Sequence, residues 1–402
     1  MSSKTDWFTN ARYGMFIHWG AYSAGARGEW VMNRERISKE EYIRDFVSGF
    51  TARDYDPVKW ARLAKKCGME YAVLTARHHD GFALWDSKVN DFNAAKLGPC
   101  RDLIKPYVEA LRAEGVKVGL YYSPANWTNP DYPGPCFRDW PGENDWADES
   151  ARQRFIAYYR TELRELLTGY GKIDYLWFDG CIPENLAGDE TLKMVRGWQP
   201  DIIVNNRLGN PFDIKTCEQT VNPAKGTPWE ACLTLNESWG YNATDFNWKS
   251  PYDVIALLLK CAAQCGNLLI NVGPDADGNV PQQSVDILET VGRWLEKNRE
   301  AILTDTRSPF SWSCSVNHVC VRGSRVYLPV RFEREKIRWG ELKNKVLNVT
   351  QLDTGEKLNF CQEENRLSVE GIKWSGLWTI LAVDVEGTPE ALTTQTTFWI
   401  PN

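Results

Sequence analysis

This 402-residue chain is poor in the groups that would make it a metalloprotein, a nucleic-acid binder or a membrane protein. It has only four histidines, and no H-x-H or H-E-x-x-H occurs, so the usual spacings of a metal hydrolase are missing. Its 11 cysteines are scattered and odd in number, with no C-x-x-C, which excludes a zinc ribbon or thioredoxin-like pair. Unpaired thiols fit a reducing compartment. There is no basic tract and the net charge is −6, so nucleic acid is not expected as a partner. No run of 18 apolar residues exists, so no membrane partner is expected. The opening residues Met-Ser-Ser-Lys-Thr-Asp-Trp lack an apolar h-region, and a soluble chain with no signal peptide in this sequence is the expectation. Nothing in the pattern fixes native compartment or oligomeric state.

What is present is a large apolar fraction, 43%, with 19 Trp and 16 Tyr. Such rings fill large cores. They also stack on the C–H faces of sugars while their N–H and O–H tips seek polar partners. Up to about residue 305, strand-like runs alternate with helical patterns. Tyr13 to Ile17, Tyr71 to Thr75, Val116 to Tyr122, Tyr175 to Phe178, Ile202 to Asn205, Trp229 to Leu235 and Asn267 to Asn271 read as strands. Helical stretches lie at 56–67, 101–114, 149–167, 192–198, 251–265 and 285–298. That alternation predicts a (β/α)8-type, TIM-like barrel over residues 1–305. From 306 to 402 helical periodicity stops and short strands such as Val326 to Phe332, Lys345 to Thr350 and Leu377 to Val383 alternate with turns. An all-β sandwich is expected there.

Tyr175-Leu-Trp-Phe-Asp-Gly-Cys181 is the anomaly of the chain. A buried aromatic strand that ends in a carboxylate needs a cation partner or a chemical task for Asp179. Barrel strands end on the active-site face. Three of the four histidines, His18, His78 and His79, fall at such ends. Glu29, Trp30, Trp85, Tyr121, Tyr122, Trp177, Asp179, Arg207 and Glu218 are expected on the same face, Trp177 and Asp179 sharing a side by strand alternation. One of Tyr121 and Tyr122 points inward, and the sequence does not say which. Two chemistries fit: a metal hydrolase with histidines and Asp179 as ligands, or glycoside cleavage by two carboxylates. Glycoside cleavage is favoured, because adjacent His78 and His79 point apart on a strand and could share a metal only from a turn.

Tyr13-Gly-Met-Phe-Ile-His-Trp-Gly20, His78-His-Asp-Gly-Phe-Ala-Leu-Trp85, Trp177-Phe-Asp-Gly180, Ser238-Trp-Gly-Tyr241 and Gly266-Asn-Leu-Leu-Ile-Asn-Val-Gly-Pro274 closely resemble the α-L-fucosidases of glycoside hydrolase family 29. The resemblance runs over roughly residues 5–305 in order. It implies a retaining exo-hydrolase of terminal α-L-fucosyl groups on oligosaccharides or glycoconjugates, with no metal and no organic cofactor. It implies Asp179 as nucleophile, and a fucose pocket of His18, Glu29, Trp30, His78, His79, a Tyr of Leu120-Tyr-Tyr-Ser123, Trp177, Arg207 and Trp239. The acid/base it implies falls in Phe212-Asp-Ile-Lys-Thr-Cys-Glu218, where Ile214 and Cys217 depart from the usual Phe and Pro. Glu218 is the first candidate, Glu230 of Trp229-Glu-Ala-Cys232 the second and Glu237 the third. A barrel glycosidase for another L-sugar, such as an α-L-galactoside, or a non-catalytic fucose-binding protein are the alternatives. The loops at 125–147, 181–190 and 219–228 border the same face and have no readable code for linkage preference.

Overall fold

A computed structural model describes residues 3–133, 146–180, 185–310 and 318–392. Residues 134–145 and 181–184, within two of the bordering loops, lie outside the described residues. The chain divides into two compact units, residues 1–251 with 267–292, and residues 252–266 with 293–402.

The first unit is built on β1 (Tyr13–Ile17), β2 (Tyr71–Arg77), β3 (Lys117–Tyr122), β4 (Tyr175–Phe178), β5 (Ile203–Val204), β6 (Lys215–Glu218), β7 (Trp229–Thr234) and β8 (Asn267–Val272). They form one sheet in the order β5-β4-β3-β2-β1-β8-β7-β6, and every neighbouring pair is parallel. Asn205, just past β5, and Ile214, just before β6, make a parallel bridge that joins the two edges. All but β6 are almost wholly buried along their length, as strands enclosed on both faces must be.

α1 (Asp6–Ala11) precedes β1, the short α2 (Val31–Arg34) and α3 (Lys39–Tyr42) lie between β1 and β2, and helices follow most strands. α4 (Pro57–Lys66) starts at Asp56, whose side chain accepts from the N–H of Val58 and Lys59. α5 (Ile104–Ala113) starts later than the apolar spacing predicts. The Asp102 carboxylate accepts from the N–H of Ile104 and Lys105 at 2.8 and 2.9 Å and holds the preceding residues out of the helix. α6 (Glu149–Gly169) and α7 (Gly188–Trp198) follow β3 and β4. Among the described residues, no helix stands between β5 and β6 or between β6 and β7. β6 is absent from the strands that the apolar runs predict. Lys215-Thr-Cys-Glu218 has no apolar run and is half exposed, and its strand form comes from pairing with β7.

The barrel interior is unusually aromatic. Phe8, Phe16, Tyr71, Val73, Tyr121, Tyr175, Trp177 and Cys232 pack in one cluster. At its base Glu230, fully buried, accepts from Tyr71 Oη at 2.8 Å, Tyr175 Oη at 2.7 Å and Trp177 Nε1 at 2.8 Å. Gly14 permits that packing, because a Cβ there would lie 2.4 Å from the Tyr71 ring.

The second unit holds α8 (Pro251–Ala262) from Tyr252 on, the C-terminal turns of α9 (Gln282–Asn298) and, among the described residues, seven antiparallel strands. β9 (Cys320–Arg322), β10 (Arg325–Val330), β12 (Val346–Gln351) and β15 (Thr379–Val385) make a sheet in the order β12-β15-β10-β9. β11 (Lys336–Trp339), β13 (Asn359–Glu363) and β14 (Arg366–Glu370) make a second, β11-β14-β13. Val326, Leu328, Trp339, Val349, Leu367, Val369, Leu381 and Val383 fill the core between them, as in a small sandwich. Among the described residues, no helix is long and apolar enough to cross a membrane.

Candidate active site

The C-terminal ends of the barrel strands surround a cleft of about 470 Å³, measured to its open mouth. Phe16, His18, Glu29, Trp30, His78, His79, Tyr121, Trp177, Asp179, Arg207, Glu218, Cys232 and Trp239 line it.

Asp179 directly follows β4, and its side chain is 18% exposed. Arg207 Nη1 donates to Oδ1, Tyr121 Oη donates to Oδ2 at 2.9 Å, and His79 Nε2 lies 3.8 Å from Oδ2. Burial would raise the carboxyl's pKa. Arg207, His79 and Tyr121 together outweigh it and hold the group below its ordinary value. Asp179 is therefore an ionised, oriented carboxylate at neutral pH. Arg207 Nη2 donates to Glu218 Oε2 at 2.6 Å, so one guanidinium bridges both carboxylates. The same guanidinium lies 4.7 Å over the Trp177 ring. Glu218 is the more open of the two, 42% exposed at the side chain. Its strand register places it opposite Cys232 of β7, which also faces the cleft.

The histidines form a connected wall. The His18 and His78 rings are 5.8 Å apart, and those of His78 and His79 4.1 Å. His78 stacks on Tyr121 at 5.4 Å with planes 3° apart, and Tyr121 stacks on Trp177 at 5.6 Å. Burial is the largest cause that lowers the pKa of His18, to about 4, and of His78. Both rings are neutral in the cleft at neutral pH. His79 Nδ1 contacts Ser123 Oγ at 2.6 Å, and Ser123 Oγ donates to the Ala125 carbonyl at 3.2 Å. Behind the histidines, the turn at Gly81 has φ +82°, and a Cβ there would lie 2.2 Å from Asn126 Oδ1. Glu29 is buried and accepts from the Gly240 N–H at 2.7 Å. Burial raises its pKa, and the charges of Glu218 and Asp179 act in the same direction.

Two residues expected on this face lie elsewhere. Trp85 is 1% exposed and its indole N–H donates to Glu165 Oε2 of α6 at 2.9 Å. It is a packing residue outside the cleft. Tyr122 points away from the barrel interior: its hydroxyl donates to Glu162 Oε2 at 2.6 Å and Arg77 lies over its ring. Tyr121 is thus the inward member of the pair, and alternation along β3 sends the next side chain outward. Glu230 lies beneath the cleft floor rather than in it, held by its three donors, with burial as the main cause that raises its pKa. Glu237 is exposed and does not line the cleft. Phe16 and Cys232 are lining residues that the sequence reading passed over. Each could have been found from strand alternation, Phe16 two residues before His18 and Cys232 two after Glu230. Among the described residues no group of three or more His, Cys, Asp and Glu side chains is arranged to hold a metal ion.

The family model described as Alpha-L-fucosidase matches residues 2–300. Human tissue α-L-fucosidase is 30% identical over 407 residues, 92% of this chain and 82% of that protein. Among solved structures, α-L-fucosidase isoenzyme 1 from Paenibacillus thiaminolyticus superposes with a TM-score of 0.86 at 36% identity, covering 95% of this chain and 99% of that one. A family 29 α-L-fucosidase from Bacteroides thetaiotaomicron, trapped as a covalent intermediate with 2-fluoro-fucosyl fluoride, has a TM-score of 0.85 at 25% identity, covering 96% and 97%. With the barrel, the paired carboxylates and the histidine wall, these matches establish that this chain belongs to the α-L-fucosidase family, glycoside hydrolase family 29.

Proposed function

We propose that the cleft hydrolyses terminal α-L-fucosyl groups of fucosylated glycans by double displacement, with Asp179 as nucleophile and Glu218 as acid/base. The observation that carries the assignment is the Arg207 bridge between the two carboxylates. A pair spanned by one guanidinium fits the separation of about 5–5.5 Å used by retaining glycosidases, which leaves no room for a water between nucleophile and sugar.

In the first step Asp179 attacks the anomeric carbon. The glycosidic C–O bond breaks, and Glu218 gives its proton to the departing oxygen. An Asp179 fucosyl ester results. In the second step Glu218, now a carboxylate, takes a proton from water. The water oxygen bonds to the anomeric carbon, and the ester bond breaks to return Asp179. The Arg207 ion pair at Oδ1 and the Tyr121 hydrogen bond at Oδ2 favour the charged form of Asp179, which suits a nucleophile and a leaving group. Glu218, half-exposed at the mouth, has access to both leaving group and water. The neutral rings of His18 and His78 suit sugar hydroxyls better than charged ones. Phe16, Trp177 and Trp239 offer an apolar wall to the C6 methyl. Selectivity of that kind against a hydroxymethyl is worth about 1–3 kcal/mol. The chemistry is assigned to residues 1–305, since every lining residue lies between Phe16 and Trp239. Residues 306–402 are then an ancillary sandwich.

The deciding experiment compares aryl α-L-fucoside with aryl α-L-galactoside. Turnover of the fucoside with a kcat/KM at least ten-fold higher supports the reading. A preference for the galactoside replaces the substrate, and binding of L-fucose without turnover of either replaces catalysis with recognition.

A further inference from the structure

Asn271 is the penultimate residue of β8, 2% exposed, and does not line the sugar-facing cleft. Its carboxamide makes two short contacts in opposite senses. Nδ2 donates to the main-chain carbonyl of Trp239 at 2.7 Å, and Oδ1 lies 2.7 Å from His18 Nδ1. A carbonyl oxygen can only accept. The Trp239 carbonyl therefore forces the NH2 of Asn271 to its own side, and this turns Oδ1 toward His18. Oδ1 in turn can only accept, so the His18 proton sits on Nδ1.

We propose that Asn271 is a positioning residue that locks His18 in its Nδ1–H tautomer, so that Nε2 meets a substrate hydroxyl as an acceptor, and that the same carboxamide fixes the Trp239 wall. His18 lines the cleft, and with Nδ1 committed to Asn271 the ring has only Nε2 to offer a ligand. A neutral ring in this tautomer selects a hydroxyl, which can donate, over a group that can only accept. The ring stays neutral because it is buried, with a pKa lowered to about 4. Asp179 pulls that value up and His79 pushes it down, while His78 and Tyr121 pack at 5.8 and 5.6 Å and Trp239 at 5.0 Å. Only the link to a sugar hydroxyl rests on the fucosidase reading. The tautomer does not.

Nitrogen-15 labelled histidine in the full chain, with His18 assigned by difference against His18→Phe, reads the tautomer directly in a protein with four histidines. The expected result is a proton on Nδ1 from pH 6 to 8 in the unmodified protein; a proton on Nε2 overturns the inference. Asn271→Asp places a carboxylate beside Nδ1, which favours the imidazolium by one pH unit or more, roughly the shift an adjacent opposite charge produces. The His18 titration and the acidic limb of kcat/KM for an aryl α-L-fucoside should then rise together. An unmoved His18 titration in a folded variant overturns the inference. Asn271→Leu removes both Asn271 hydrogen bonds without adding charge. It should lower the His18 titration, because the Asn271 bond holds that value up against burial. It should also raise KM about five- to ten-fold, as expected when one His18–hydroxyl hydrogen bond to substrate is lost, whereas an unchanged KM in a folded, active variant overturns the inference. An Nδ1–H tautomer in a chain that does not cleave the fucoside supports Asn271 and overturns the function. An Nε2–H tautomer in an active chain does the reverse.

Discussion

Arg207 holds Asp179 and, through its other terminal nitrogen, Glu218, while its guanidinium face rests on Trp177. The charge that keeps the nucleophile ionised is thus also the tether of its partner. Substitution of Arg207 should separate these two roles. In Arg207→Met, Asp179 loses its strongest opposing charge against burial, so its pKa rises. A carboxylate nucleophile works only above its pKa, so the acidic limb of kcat/KM should move to higher pH by about 1–3 units. A pH–rate profile measures it, and a limb that stays in place would remove Arg207 as the cause of the depressed pKa.

Azide distinguishes the two carboxylates. In Asp179→Gly, azide should replace the nucleophile on its own face and give the β-fucosyl azide. In Glu218→Ala, azide should attack the intact Asp179 ester and give the α-fucosyl azide. Loss of Glu218 should cost about 10²–10⁴-fold with a poor leaving group and far less with an activated aryl fucoside. Absence of rescue in Glu218→Ala would move the acid/base role to another carboxyl group.

Tyr121→Phe removes the 2.9 Å hydrogen bond to Asp179 Oδ2 and keeps the ring stacked between His78 and Trp177. A hydrogen bond to a charged group contributes about 1.5–3 kcal/mol, so kcat/KM should fall roughly ten- to hundred-fold and the melting temperature should fall with it. Steady-state kinetics and a thermal scan test both halves.

Glu230→Leu leaves Tyr71, Tyr175 and Trp177 without their buried acceptor. Each stranded donor costs about 1–3 kcal/mol, so a large drop in melting temperature is expected. Azide should not restore activity, because Glu230 lies below the cleft floor. Restoration by azide would return it to candidacy as the acid/base.

Trp85→Phe separates packing from binding. The indole bond to Glu165 is lost within the protein interior, so stability should fall while KM for an aryl α-L-fucoside stays at the unmodified value. A raised KM would bring Trp85 back to the cleft.

Much of this site was legible from residue order. Barrel strands announce themselves as apolar runs, and side chains at their C-terminal ends share one face, so residue order alone places His18, His78, His79 and Asp179 together. Trp177 and Asp179 sharing a side followed from the two-residue period. What residue order could not decide was phase and partnership. Whether Tyr121 or Tyr122 turns inward depends on the strand's rotation in the closed sheet, and both are aromatic. Trp85 belongs to a motif full of cleft residues, yet Glu165 of a later helix draws it elsewhere. Glu218 sits on a strand with no apolar signature, held by pairing with β7. Asn271 and His18 lie far apart in the chain, and the direction of the carboxamide between them depends on a Trp239 carbonyl that only the fold brings near. The sequence alone determined the residue types and the strand ends that carry them, because periodicity is local. The tertiary structure decided which atoms face the cleft and which proton each one carries, because hydrogen-bond partners and burial are set by residues distant in the chain.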